Sequence, residues 1–420
     1  MLLQFNFKNF KSFRDDTTLD MTATKITEFE HHVIRNGNEK VLPVAAIFGA
    51  NASGKSNVLE AFRFMAVYVV RSFGFGDERK KKGKDGFLLP PPFLFDINSK
   101  KEPSLFEVFF TVDEQKGLKT YNYGFTVGRK GIEEEWLNSK SKSSRSGFKR
   151  IFYRDGDELD LPGISEKSRE NIKIALEKEV LVVSLGAKLK IGKLKLIRDW
   201  FFDNEIADFG SPEENFLLSS LLPGNFTESK EVQDQVVRYL SAFDESIVGF
   251  EVEKIGEDDK KQTRLRIFTA HKVIGSNKTA TIPLEFESAG TLKMFALYPL
   301  LKEVLERGSV LFVDELNARL HPLLMRAFII NFLNPETNPN HAQLVFTTHD
   351  SWQLNNNLLR RDEVWFTEKT TDGVSTLYSL ADFVDEDGLK IRKDENYEKN
   401  YLLGKYGAIP LLQNFDILGG

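Results

Sequence analysis

Three short apolar runs, Val44–Phe48, Val310–Val313 and Leu344–Phe346, contain no polar residue, and each is followed by residues able to do chemistry. Unbroken runs of this length predict strands buried on both faces, as in a parallel sheet. Elsewhere the period changes. Within residues 103–161, Leu105–Val112, Thr120–Val127 and Lys149–Tyr153 predict antiparallel strands, with turn signals at Lys116-Gly117, Lys130-Gly131 and Asp155-Gly156. Residues 164–245 read largely as helices, among them Glu166–Val183 and Glu231–Phe243, broken at Pro212 and at Pro223-Gly224. Strands return at Phe250–Ile255 and Thr263–Phe268, ahead of a helical segment over Leu292–Leu305. Val364–Phe366 and Ser375–Tyr378 are strand-like and lead to a charged, Tyr-rich tail. No heptad array is long enough for a coiled-coil arm.

The run Val44–Phe48 leads into Gly49-Ala50-Asn51-Ala52-Ser53-Gly54-Lys55-Ser56 and then the helix-like Asn57-Val58-Leu59-Glu60. This is a complete P-loop in its strand–loop–helix setting. Its glycines let successive N–H groups point at phosphate oxygens, Lys55 reaches the β and γ phosphates, and Ser56 offers a hydroxyl to Mg²⁺. Gly49, Asn51, Ser53, Gly54, Lys55, Ser56 and Asn57 are therefore the candidate nucleotide-binding residues. The run Val310–Val313 ends in Asp314-Glu315, which places two carboxylates at the carboxyl end of a buried strand. Asp314 would hold Mg²⁺ through water and Glu315 would polarise the attacking water, the two needs of phosphoryl transfer beyond binding. Glu287-Ser288-Ala289-Gly290-Thr291 opens the Leu292–Leu305 helix, and a small-residue turn there exposes N–H groups to an anion. It looks like a degenerate ABC signature. Leu316–Pro322 fills the place of a D-loop, and His349, at the end of Gln343–Asp350, stands where a switch histidine could report on the γ-phosphate.

These stations resemble the ABC/SMC-type AAA-family ATPases that include the OLD-family modules and, more closely, the RloA-like ATPases of prokaryotic defence loci. Leu3–Phe13, Asp314-Glu315 with Leu320-His321-Pro322, Phe346–His349, Glu363–Phe366 and Leu403–Pro410 carry the likeness, which covers roughly residues 1–75 and 240–420. It implies an α/β fold, an ABC/SMC-type P-loop ATPase head with an antiparallel β-lobe and a helical insertion. The expected divisions are 1–75 and 246–380 for the two parts of the head, 76–161 for the lobe, 162–245 for the insertion and 381–420 for the tail. It also implies a head-to-tail ATP sandwich of at least a dimer, in which Lys55 of one copy and Ser288 and Gly290 of another share a nucleotide, with Asn317 at the interface. Lys11 and Ser12 would lie near the base or phosphates. The resemblance further implies that ATP state gates a separately encoded, RloB-like nuclease during phage infection. Three departures stand out: Asn317 replaces the usual D-loop acid, the signature lacks its second glycine, and no glutamine stands in a Q-loop position near Phe93–Asp96.

Composition narrows the field. The 420 residues include no cysteine, which excludes disulfides and thiolate sites, and no 18-residue apolar stretch, which excludes a membrane helix. The start Met1–Lys8 lacks the shape of a signal peptide, so the expectation is a cytoplasmic protein without membrane contact. A net charge of -5 argues against long-range attraction to nucleic acid. Local basic stretches at Arg79–Lys84, Lys140–Arg150 and Lys188–Arg198 nevertheless keep nucleic acid as a possible partner, and with it an SMC/RecF-like DNA-repair or clamp ATPase as the alternative. A GTPase switch is disfavoured because Asn277-Lys278-Thr279-Ala280 lacks the final acid of the guanine-specificity motif. The acids at Asp382–Asp387, Asp394 and Glu395 lack the preceding strand of a Toprim nuclease centre.

Overall fold

The computed structural model describes all residues except 76–87, 116, 142–146, 220, 258–262, 386–387 and 411–420. Its centre is a 6-stranded sheet in the order Glu205–Asp208, Val310–Asp314, Gln343–Thr347, Val44–Gly49, Val364–Lys369 and Ser375–Ser379. All neighbours in it pair parallel except the last two strands, which form an antiparallel hairpin. Alternation along the strands builds two cores. Ala45, Ile47, Val310, Phe312 and Val345 face one, while Val44, Ala46, Phe48, Leu311, Val313, Leu344 and Phe346 face the other. The apolar runs thus have no solvent face, which is why they carry no polar residue.

The first core lies between this sheet and a 7-stranded antiparallel one, in the order Glu158–Asp160, Lys149–Asp155, Gly131–Ser141, Gly117–Gly128, Ser104–Glu114, Leu2–Lys8 and Thr17–Asp20. The α/β class with an antiparallel lobe is as the sequence predicts, and the chain's first two strands pair into that lobe. The P-loop helix Lys55–Arg71 fills the gap, with Phe62 stacked on Phe312 at 4.1 Å. The second core is closed by helices Ala289–Arg307 and Pro322–Leu333 and by the short helix Tyr397–Leu402.

Three expectations need correction. The segment Glu166–Val183 is two helices, Glu166–Ala175 and Val182–Lys188. The second starts afresh because the buried Glu135 carboxylate accepts the N–H groups of Val182 (2.6 Å) and Val183 (3.1 Å), satisfying donors that a helix N-terminus leaves open. Burial pushes that carboxyl up to about 7, with the Tyr123 hydroxyl donating to it at 3.0 Å. Glu135 belongs to Gly131–Ser141, a strand that the acidic run Glu133–Glu135 hides from a hydrophobicity pattern. Thirdly, the 162–245 segment contains a strand, Glu205–Asp208, that inserts into the parallel sheet beside Val310–Asp314. A separate 3-stranded antiparallel sheet, Ile247–Glu257, Thr263–Lys272 and Thr279–Pro283, precedes helix Ala289–Arg307.

Of the basic stretches, Arg79–Lys84 and the turn residue Lys116 lie outside the described residues, as does part of Lys140–Arg150. Lys188, Lys190, Lys193 and Lys195 are exposed. Among the described residues no helix is long and apolar enough to cross a membrane.

One side chain ties the two sheets together. Buried Gln343 accepts the N–H of Leu2 at 2.7 Å and donates to the carbonyls of Leu2 and Leu42, each at 3.0 Å. Gln343→Leu would leave those backbone groups buried without partners, and the expected cost is about 2–3 kcal/mol of unfolding free energy, read from the urea midpoint. A change under about 0.5 kcal/mol would mean that the sheets are held by packing alone.

Candidate nucleotide site

The four strand ends that matter lie side by side, so the loops that follow them converge. The P-loop leaves Val44–Gly49 and returns as helix Lys55–Arg71. Its wrap needs left-handed backbone at Ala52 (φ 62°) and Gly54 (φ 112°). Gly49 is held to a bare Cα for a second reason, since a Cβ there would stand 2.5 Å from the carbonyl of Thr367. The neighbouring hairpin grips the loop from behind. Thr367 Oγ1 and Ser53 Oγ are 2.6 Å apart, and Ser375 Oγ donates to the Ser53 carbonyl at 2.7 Å.

Lys55 is buried, and its ammonium donates to the carbonyls of Gly49 (2.9 Å) and Ala50 (3.0 Å), with Nδ1 of His349 at 3.3 Å. Burial pushes it down to about 8, and Asp314 and Glu315 act in the opposite sense. His349 is held below its ordinary 6.5, first by burial and then by Lys55, against the pull of Asp314. The imidazole is therefore neutral near pH 7, with Nδ1 assigned as acceptor from Lys55. Its Nε2 lies 4.0 Å from Glu315 Oε1.

Asp314 is buried at its strand end and accepts a hydrogen bond from the Thr347 hydroxyl, which itself accepts the Glu315 N–H at 2.9 Å. The strand stops there because Glu315 turns to φ 51°. That turn brings its carboxylate into a cleft of about 730 Å³ lined by Asn51, Ala52, Gly54, Lys55, Ser56, Asn57, Glu315, His349 and Lys369.

Not all the predicted residues meet in this cleft. Lys11 pairs with Glu60, and Ser12 Oγ accepts from Asn57 Nδ2 at 2.7 Å and lies 2.8 Å from Ser375 Oγ, so both brace the P-loop helix and neither lines the cleft. Asn317 Oδ1 accepts the backbone N–H of His349 at 3.1 Å and so joins the D-loop segment to the histidine. Ser288 caps helix Ala289–Arg307, accepting the Thr291 N–H at 3.1 Å, and Gly290 lies against the Arg319 carbonyl. Both are absent from the cleft lining of their own chain.

Three participants escaped the sequence reading. Lys369 adds a cation to the cleft from the hairpin strand, and Thr347, on the histidine strand, bonds the Asp314 carboxylate and the Glu315 backbone N–H. Asp208 ends the strand next to Val310–Asp314 in direct register with Asp314, so this strand flanks the carboxylate strand. Residues 93–103 hang on Asn9, which accepts the Phe93 N–H at 2.9 Å and donates to the Ser99 carbonyl at 2.8 Å. Asp208 Oδ1 accepts the N–H groups of Gly210 (2.8 Å) and Ser211 (3.0 Å), and burial followed by Asp314 raises its carboxyl. Only a four-residue strand with acids at both ends signals it in the sequence.

The donor set suits a nucleoside triphosphate with Mg²⁺. The loop is built where a Cβ would clash, Lys55 has only carbonyl oxygens and an imidazole for contacts, and the Ser56 hydroxyl in the cleft, with Asp314, which does not itself line it, would supply oxygens to a largely hydrated Mg²⁺. Among the described residues no group of three His, Cys, Asp or Glu is placed to hold a metal ion. Residues 44–351 match the family described as "AAA domain, putative AbiEii toxin, Type IV TA system". The chain belongs to this AAA-domain family. No curated protein matches this chain. Solved structures similar to it include an SMC head bound to the C-winged helix domain of ScpA, with 15% identity, TM-score 0.39, and coverage of 90% of this chain and 97% of that one. They also include the recombination mediator RecF–ATP of the RecFOR pathway, with 14% identity, TM-score 0.35, and coverage of 90% and 97%.

The hairpin's grip on the P-loop is testable in isolation. Thr367→Val removes the hydroxyl on Ser53 without changing volume, and the expected result is about tenfold weaker binding of a nucleoside triphosphate, the worth of about one hydrogen bond. Isothermal titration calorimetry gives the affinity, and an unchanged value would mean that the loop holds its shape without the hairpin.

Proposed function

We propose that this AAA domain binds ATP with Mg²⁺ and hydrolyses it as the regulatory subunit of a prokaryotic anti-phage, abortive-infection complex. It closes head-to-tail with a second copy and gates a separate nuclease effector. The observation that carries the hydrolytic reading is the single cleft in which Lys55, Ser56, His349 and Glu315 converge. Lys55 exchanges its bonds to Gly49 and Ala50 for phosphate oxygens, a gain for an ammonium that burial has already stripped of water. Glu315 accepts a hydrogen bond from the attacking water and orients it toward the γ-phosphate. Neutral His349 presents Nε2 to the same region while its Nδ1 accepts from Lys55. Mg²⁺, held by Ser56 and Asp314, would neutralise charge between the β and γ phosphates.

The second copy is supported by the position of Ser288 and Gly290. They open a 19-residue helix whose N-terminus can meet an anion, yet they lie outside the cleft of their own chain. The defence setting is supported by the family's description as an AbiEii-like toxin of Type IV toxin–antitoxin systems.

Lys55→Ala is expected to abolish nucleotide binding, whereas Glu315→Gln keeps binding and traps a closed assembly. Native mass spectrometry with ATP and Mg²⁺, alone and with proteins encoded beside it, reads both. Normal turnover in Glu315→Gln would sink the assignment of the water-orienting residue. Retention of duplex DNA without any protein neighbour would favour a DNA-clamp ATPase. The pH dependence follows from His349. Its folded-state pKa lies below 6.5, so turnover should fall in acid solution as the imidazole is protonated beside Lys55, while the Lys55 ammonium, pushed down to about 8, sets a separate alkaline limb as it loses its proton. His349→Gln removes that acid limb; a limb that persists would belong to another group.

A further inference from the structure

Lys293 has no place in the chemistry above, yet it is 4% exposed and all its polar contacts are to backbone carbonyls. It stands in the second turn of helix Ala289–Arg307, and its ammonium donates to the carbonyls of Glu315 (2.9 Å), Leu316 (2.8 Å) and Ala318 (2.9 Å). All three of its donors are used, and all on one turn. The Phe209 ring lies 4.2 Å below the ammonium, and the Phe209 N–H donates to the Asp314 carbonyl at 3.3 Å.

That turn is closed by the Ala318 N–H to the Glu315 carbonyl at 2.9 Å, but it carries strain. Glu315 (φ 51°) and Arg319 (φ 61°) are both non-glycine residues in the left-handed region, and three carbonyl dipoles point at a common centre. A cation at the centre turns their mutual repulsion into attraction. The arrangement is costly to the lysine, which burial pushes down to about 7 with Glu315 opposing and Arg319 adding to the fall. A helix meant only to pack would do better with an apolar side chain there.

We propose that Lys293 is a positioning residue for Glu315, fixing the turn that aims its carboxylate into the cleft and joining that turn to the helix that opens at Ser288. The same turn touches the start of the helix a second time, because a Cβ on Gly290 would lie 3.2 Å from the Arg319 carbonyl. Contact made by a neighbouring copy at Ser288 therefore bears on the turn that carries Glu315. This rests on the reading of Glu315 as the residue that orients water.

The test compares Lys293→Met, similar in length but without donors, with Lys293→Gln, which keeps two N–H donors. Each is made in the full chain, alone and combined with Glu315→Gln. For Lys293→Met the ATP dissociation constant should stay within about twofold while kcat falls about 10- to 100-fold, the scale of a misplaced catalytic group. Lys293→Gln should recover part of the loss. In the Glu315→Gln background, Lys293→Met should cause no further fall, since it acts through the side chain already removed. A folded Lys293→Met protein with kcat within twofold of wild type overturns the inference. So does an equal fall in both backgrounds, which would mark a general structural role. Lys293→Gln is read in the same way where the methionine variant does not fold. Wild-type protein that binds ATP without turning it over overturns the hydrolytic reading itself and this inference with it.

Discussion

A buried ammonium that meets only carbonyl oxygens and a neutral imidazole is the constraint on which the site depends. Lys55 has lost most of its water and gained only the carbonyls of Gly49 and Ala50 and the ring of His349 in return. A carboxylate in contact would have neutralised it and blocked an anion. Asp314 and Glu315 instead act on it through space, close enough to keep the ammonium charged and far enough to leave it available. Everything around the P-loop serves that balance, from the hydroxyls of Thr367 and Ser375 behind it to the Asn57–Ser12 bond beneath it.

Two buried lysines divide the work of the AAA domain. Lys55 meets the P-loop carbonyls and the His349 ring, while Lys293 donates to the carbonyls of the turn between Glu315 and Ala318. The two are linked by short steps. Asn317 lies in the turn held by Lys293 and accepts the His349 N–H, and the His349 ring meets Lys55. An amide suffices at position 317 because its task within the chain is to accept one hydrogen bond, so the loss of the usual acid leaves this connection intact.

Much of this was legible along the chain because the relevant signals are local. The P-loop residues, the Asp314-Glu315 pair and His349 each follow an apolar run, and such runs can only be strands buried on both faces. Glycine at positions 49 and 54 reports backbone geometry that no other residue adopts as readily. Ser288 was legible as a helix cap for the same reason. Strand Gly131–Ser141 and strand Glu205–Asp208 were not, since the acids in them have partners distant in sequence: Glu135 caps helix Val182–Lys188, and Asp208 abuts Asp314.

The sequence by itself therefore determined the P-loop and the strands that carry the candidate residues, because the hydrophobic period and backbone-specific residues act over a few positions. Only the tertiary structure decided how these residues are poised. Lys369, Thr347, Asp208 and Lys293 join the site from strands and helices whose own patterns say nothing of nucleotides. Lys11 and Ser12, which the resemblance implied near the nucleotide, brace the P-loop helix through Glu60 and Asn57. The reason is physical: the charge and hydrogen-bonding state of a buried group depends on what surrounds it in space, and those neighbours are brought together only when the strands pair.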